Sequence, residues 1–114
     1  MKPSRVELLQ GTLDLLILRT LLTGPSHGHA IAKHIQRTSE ELLQVETGSL
    51  YPALHRLEAK GMIAPYWEPD QGGRARFYKL TAAGRKHLAA EHSKWEKVSR
   101  AIGLILNPTE EKSS

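Results

Sequence analysis

The sequence predicts a mainly α fold with one small β-hairpin, closed by a long C-terminal helix. Apolar residues recur at helical spacing in successive segments before Gly61. Two short β-type runs then flank a turn-rich hexapeptide, and an apolar repeat of seven follows Thr81. With 114 residues and no linker-like stretch, the chain supports one domain with a modest core.

The first helix covers Gly11 to Leu22. Leu13, Leu16, Ile17 and Leu21 fall at helical spacing, and Leu15, Leu18 and Leu22 spread apolar character around the cylinder. Such a helix is covered on more than one side. Gly24-Pro25 ends it, because a left-handed position is followed by a residue that cannot continue the ladder. Gly28 to Thr38 forms a second helix with Ile31 and Ile35 facing inward, while Lys33 and Arg37 point elsewhere.

The third helix lies in "TGSLYPALHRLEAKG", Thr47 to Gly61. Leu50, Leu54 and Leu57 mark its buried face. Proline is tolerated in a first turn, so Pro52 sets the start of regular helix at about Ser49, capped by Ser49 or Thr47. Gly61 closes it.

Met62–Trp67 and Arg74–Leu80 read as two strands joined through "EPDQGG", and Pro65 assigns the first to a sheet edge. Thr81 is the N-cap of the last helix, which ends near Asn107-Pro108. Leu88, Trp95 and Ile102, with Val98 and Ile105, repeat by seven as a seam that Glu91 interrupts. About 25 residues extend roughly 37 Å at 1.5 Å per residue. That outreaches the preceding domain, so the distal seam finds its cover on a second chain.

The bulk chemistry narrows the function classes. The net charge is +4, and Gln71 to Ala90 holds five basic residues and no acid, which permits an anionic partner. The absence of cysteine excludes disulfides, thiol catalysis and thiolate metal sites. The longest apolar stretch, "LDLLILRTLL", is interrupted by Asp14 and Arg19 and is too short to span a bilayer. The N-terminal residues lack a signal-peptide pattern, and the expectation is a soluble cytoplasmic protein.

Three helices followed by a hairpin is the order of a winged helix-turn-helix, in which the third helix meets the DNA major groove and the hairpin flanks it. On this reading the leucine stripe docks the third helix, leaving Tyr51, Pro52, His55 and Arg56 facing outward. Thr47, Ser49 and Tyr51 lie near the positive helix start, where phosphates bind readily. His55 or Arg56 reaches a base edge. Lys33 on the second helix adds a cation, and Gly73, Arg74 and Arg76 border a minor groove from the hairpin tip. The alternative is a winged-helix adaptor that binds protein rather than DNA, with Tyr51 and Trp67 as aromatic anchors.

The segments "LLQGTLDLLILRTLLTGPSHGHAIAKHIQ", "GSLYPALHRLEAKGMI" and "GGRARFYKLTAAGRKHL", in that order, resemble the PadR family of bacterial transcriptional regulators. The resemblance spans roughly residues 8 to 106. It implies a homodimer on an inverted-repeat operator, usually a repressor, with Ser49 and Tyr51 at the DNA-facing start of the recognition helix and Gly72 to Arg76 as the wing tip. The single C-terminal helix resembles the short subgroup. His29 departs from the pattern, since the family often carries an aromatic there. In drug-sensing members of that subgroup a tryptophan at the place of Trp95 stacks a planar ligand, so the resemblance implies a planar aromatic effector between Trp95 residues of two chains.

Neither metal binding nor catalysis gathers a complete set. His27, His29 and His34 have no cysteine or carboxylate neighbour to finish a tetrahedral site. Ser49 and His55 lack a third group and an oxyanion donor. The expected plan is a DNA-binding unit over residues 1–80, a dimerisation helix over 81–107 and a flexible tail over 108–114, with no enzyme activity and no cofactor.

Overall fold

The computed structural model describes residues 10–70 and 73–108. The elements run α1 (Gln10–Leu22), β1 (Ser26–His27), α2 (Gly28–Thr38), α3 (Thr47–Ala59), β2 (Ile63–Asp70), β3 (Gly73–Leu80) and α4 (Ala82–Leu106). This is the mainly α winged-helix arrangement expected, with a small antiparallel sheet of order β1-β3-β2. Residues Gln71 and Gly72 of the wing tip and residues 109–114 of the expected tail lie outside the described residues.

Helix α1 is the centre of the packing, touching α2, α3, α4 and β3. Leu13, Ile17, Leu18 and Leu21 are buried on it, meeting Ile31 and Ile35 of α2 and Leu50, Ala53, Leu54 and Leu57 of α3. Ile63, Tyr78 and Leu88 close the same core from the sheet and α4. The turn between α2 and α3 places Glu40 and Glu41 at φ 55° and 66°, a left-handed conformation that redirects the chain. Ser39 steadies that turn, its Oγ accepting the Leu43 N–H at 3.1 Å.

Several sequence expectations need correction. Helix α3 begins at Thr47, two residues before Ser49, with Glu46 as an N-cap that makes no side-chain cap bond. Pro52 therefore sits inside the helix. The carbonyl one turn before it belongs to Gly48, which is exposed, so water can satisfy the bond that proline cannot make. The hairpin is also longer than expected: Glu68, Pro69 and Asp70 pair with Ala75, Arg74 and Gly73. Pro65 and Pro69 both lie on β2, an outer strand of the sheet, where proline is tolerated. Strand β1 was not foreseen; Ser26 and His27 pair with Tyr78 and Phe77.

The root of α4 is fixed by two local devices. Thr81 accepts the Gly84 N–H at 3.0 Å and donates to the Gly61 carbonyl at 2.7 Å, tying the helix start to the end of α3. Gly84 lies directly against the Met62 carbonyl, where a Cβ would collide. Leu88, expected on the seam with a partner, is instead a core residue at 4% exposure. A repeat of seven cannot distinguish a face covered by the chain's own domain from one covered by a partner. Beyond Leu88 the helix leaves the domain, and Trp95, Val98, Ile102 and Ile105 are exposed.

Candidate nucleic-acid interface

Helix α3 divides cleanly into two faces. Leu50, Ala53, Leu54 and Leu57 are buried, while Thr47, Gly48, Ser49, Tyr51, Pro52 and His55 are exposed. The exposed side begins at the helix start, so hydroxyls, an aromatic ring and an imidazole share the end where the macrodipole is positive. Tyr51 is positioned by α2: a Cβ at Gly28 would stand 2.9 Å from its hydroxyl and 3.0 Å from its Cε1. Only a residue without a side chain lets that ring lie across the start of α2.

The wing stands beside this face. A groove of about 330 Å³ runs between α3, β3 and the start of α2, lined by His27, Gly28, His29, Tyr51, His55, Ala75, Arg76 and Tyr78. No carboxylate lines it. Burial lifts the Tyr78 phenol above its ordinary range, with Arg76 acting in the opposite direction. At neutral pH the hydroxyl is therefore protonated.

The arginines do not all point at this surface. Arg56 donates to Asp14 of α1 at 3.0 Å, so it braces α3 against the core rather than standing beside His55 as expected. Arg76 donates to both carboxylate oxygens of Glu58, at 3.0 and 2.9 Å, and braces the wing against the end of α3. The Nε atoms of both arginines are buried without a hydrogen-bond partner among the described residues, although the side chains are 30% and 39% exposed. Arg74 has no carboxylate partner among the described residues. Its guanidinium lies 5.2 Å from the Trp67 ring centre, and that of Arg76 lies 5.9 Å from the same ring. Trp67, opposite Arg76 in the ladder, thus carries two cations near its face.

Gly73 adopts φ 130°, which favours glycine at the wing tip. Lys33 is exposed but not gathered with the others. It lines a separate, shallow depression of about 700 Å³ with Thr20, Thr23, His29 and Arg37, and His29 borders both hollows. Sequence reasoning missed His27, His29 and Tyr78 as parts of the groove. The available signal was the "HGH" at the start of α2, whose small central residue marks a close approach.

A third feature lies on α4. Trp95 and Val98 form a cleft of about 270 Å³ with Gly11, Thr12 and Leu15 of α1 and with Glu91 and Lys94. Among the described residues, no group of three or more histidine, aspartate or glutamate side chains is placed to hold a metal ion.

Residues 17–90 match the family model described as the transcriptional regulator PadR-like family. A transcriptional regulator of Mycobacterium tuberculosis is 30% identical over 96 residues, covering 84% of this chain and 87% of that protein. The solved structure of a transcriptional regulator from Clostridium thermocellum is 32% identical, with TM-score 0.77 over 82% of this chain and 92% of that one. A PadR family transcription regulator from Clostridium difficile R20291 is 30% identical, with TM-score 0.74 over 83% and 98% of the two chains.

Proposed function

Since the chain belongs to the PadR-like family of transcriptional regulators, a family of regulators rather than enzymes, we propose that it acts by binding operator DNA as a homodimer, as a repressor on an inverted repeat. The observation that supports this reading is the exposed first half of α3, with Thr47, Ser49, Tyr51 and His55 beside a wing that carries Arg74. Helix α3 enters the major groove, its hydroxyls and the helix start meet phosphates, and His55 reaches a base edge. Arg74 borders the adjacent minor groove. The protein-adaptor alternative would use Tyr51 and Trp67, both exposed, but the two guanidiniums near the Trp67 ring favour an anionic partner at the wing.

Residues 10–80 form the DNA-binding unit and α4 the dimerisation helix. The cleft at Trp95 is the place for a planar aromatic effector, which acts by preferring one relative orientation of the two subunits. No helix among the described residues is long and apolar enough to cross a membrane.

The test is fluorescence anisotropy on the DNA upstream of the protein's own gene, with a scrambled duplex as control, across a salt series. The expected result is preference for the native fragment, with log affinity falling linearly in log salt. Arg74→Ala should reduce the steepness by one phosphate contact per subunit, or about 1.8 in slope for the dimer. Equal and feeble binding to both fragments, and to duplexes selected from a random pool, would transfer the reading to a protein partner.

A further inference from the structure

His27 stands where the parts of the proposed DNA-binding surface meet. Its backbone belongs to β1 and pairs with Phe77 of the wing strand β3. Its ring packs edge-on against Phe77 at 5.2 Å between centres and lies parallel to His29 at 6.5 Å. Its Nδ1 accepts the Ala30 backbone N–H at 3.2 Å, which makes it the N-cap of α2. One side chain therefore ends a strand held by the wing and begins the helix that seats Tyr51.

Serine, threonine, aspartate and asparagine are the usual caps. An imidazole can replace them in only one protonation state. Nδ1 accepts when the proton is on Nε2; a second proton turns the acceptor into a donor aimed at another donor. It also places a positive charge at a helix start that is already positive. Both effects oppose the cap, and histidine is the side chain that changes charge between pH 5 and 8. We propose that His27 is a positioning residue that couples the wing to α2 only while its imidazole is neutral, so that binding to operator DNA weakens on acidification. This rests on the DNA-binding reading above.

The charged and titratable groups around it come from each element packed against it. They are His29 on α2, Tyr51 and His55 on α3, and Arg76 and Tyr78 on β3, with Glu58 of α3 held by Arg76. Among the described residues, none of these is a free carboxylate that could hold a charged His27 in place. Protonating exposed His29 or His55 adds positive charge to a surface facing phosphate and acts in the opposite direction, strengthening binding. A valid test must cancel those two.

His27→Asn keeps a cap oxygen and does not titrate, whereas His27→Ala removes the cap. Affinity of the wild type and both variants is measured by anisotropy at pH 8.0 and 5.5 and fixed ionic strength, on a duplex selected from a random pool at pH 8.0. His29 and His55 are common to all three proteins, so the wild-type to His27→Asn ratio isolates His27. That ratio is expected to fall about fivefold per subunit on acidification, the worth of one cap, while His27→Ala stays weak at both pH values. An unchanged ratio overturns the proposal. A DNA-free readout separates its failure from that of the DNA-binding reading: the hydrogen-exchange protection factor of the Ala30 amide. It should fall on acidification in the wild type and hold in His27→Asn. A parallel course in the two proteins overturns the cap switch whatever the DNA result, and recovery of no duplex at pH 8.0 removes the operator-binding claim.

Discussion

At the scale of single residues, the exposed side of α3 is aligned by a missing methyl group. Gly28 is buried, its φ is not in the left-handed region, and the crowding is against the Tyr51 ring and hydroxyl rather than backbone. Alanine is therefore conformationally allowed, and its lower unfolded-state entropy favours folding by about 0.4–1 kcal/mol. The ring end must shift outward in return. Gly28→Ala should leave the midpoint of thermal unfolding within a few degrees of the wild type, yet weaken DNA binding several-fold because Tyr51 is misplaced. Calorimetry and anisotropy on one sample check it, and unchanged affinity would remove Tyr51 from the contact set. Arg56, Arg74 and Arg76 carry the same lesson about position. Similar in chemistry, they serve as a brace to α1, a cation over the Trp67 ring and a brace to the wing.

At the scale of elements, α3 is clamped from both sides, by Asp14 of α1 through Arg56 and by Arg76 of β3 through Glu58. The two ion pairs thus tie α3 to both the core and the wing. Helix α4 is rooted differently, by backbone proximity. The Gly84 position faces the Met62 carbonyl, and that carbonyl also accepts the Thr81 N–H at 3.1 Å. Gly84→Ala must push the helix away from a backbone group that cannot turn aside. It should destabilise the protein by about 1–3 kcal/mol in urea unfolding, and a neutral result would mean that α4 tilts freely on its root. The helices were legible in the sequence because their leucine and isoleucine spacing repeats over several turns. Strand β1 was not, since two residues carry no alternation. The outer wing was misjudged because Pro69 and Asp70 have turn chemistry, although an edge strand tolerates both. The braces were hidden for another reason: Arg56 and Asp14 are 42 residues apart, and Arg76 and Glu58 are 18 apart. No local pattern connects such pairs.

At the scale of the whole molecule, the distal half of α4 poses a problem that one chain does not solve. Trp95, Val98 and Ile102 are about half exposed, Ile105 is 75% exposed and Leu106 is 70% exposed. Large contiguous apolar surface of this kind marks an interaction site, and its repeat of seven suits a second helix of the same kind. The Trp95 end continues into the cleft against α1, so a partner helix on the seam would border that cleft. A charge at Ile102 then tests dimerisation and DNA reading together. Ile102 lies far along the chain from the wing and from α3, and it is exposed in the single chain. Ile102→Arg should therefore keep the helical content and thermal stability of the isolated subunit while converting the protein to a monomer in sedimentation equilibrium. On DNA, the monomer should bind an inverted repeat little better than one half-site, whereas the wild type gains the second contact as an intramolecular event. That gain is about 10²–10⁴-fold when the geometry allows both sites to be engaged. A variant that remains dimeric would move the seam to another face. A monomer with undiminished preference for the full repeat would show that each subunit reads its operator alone.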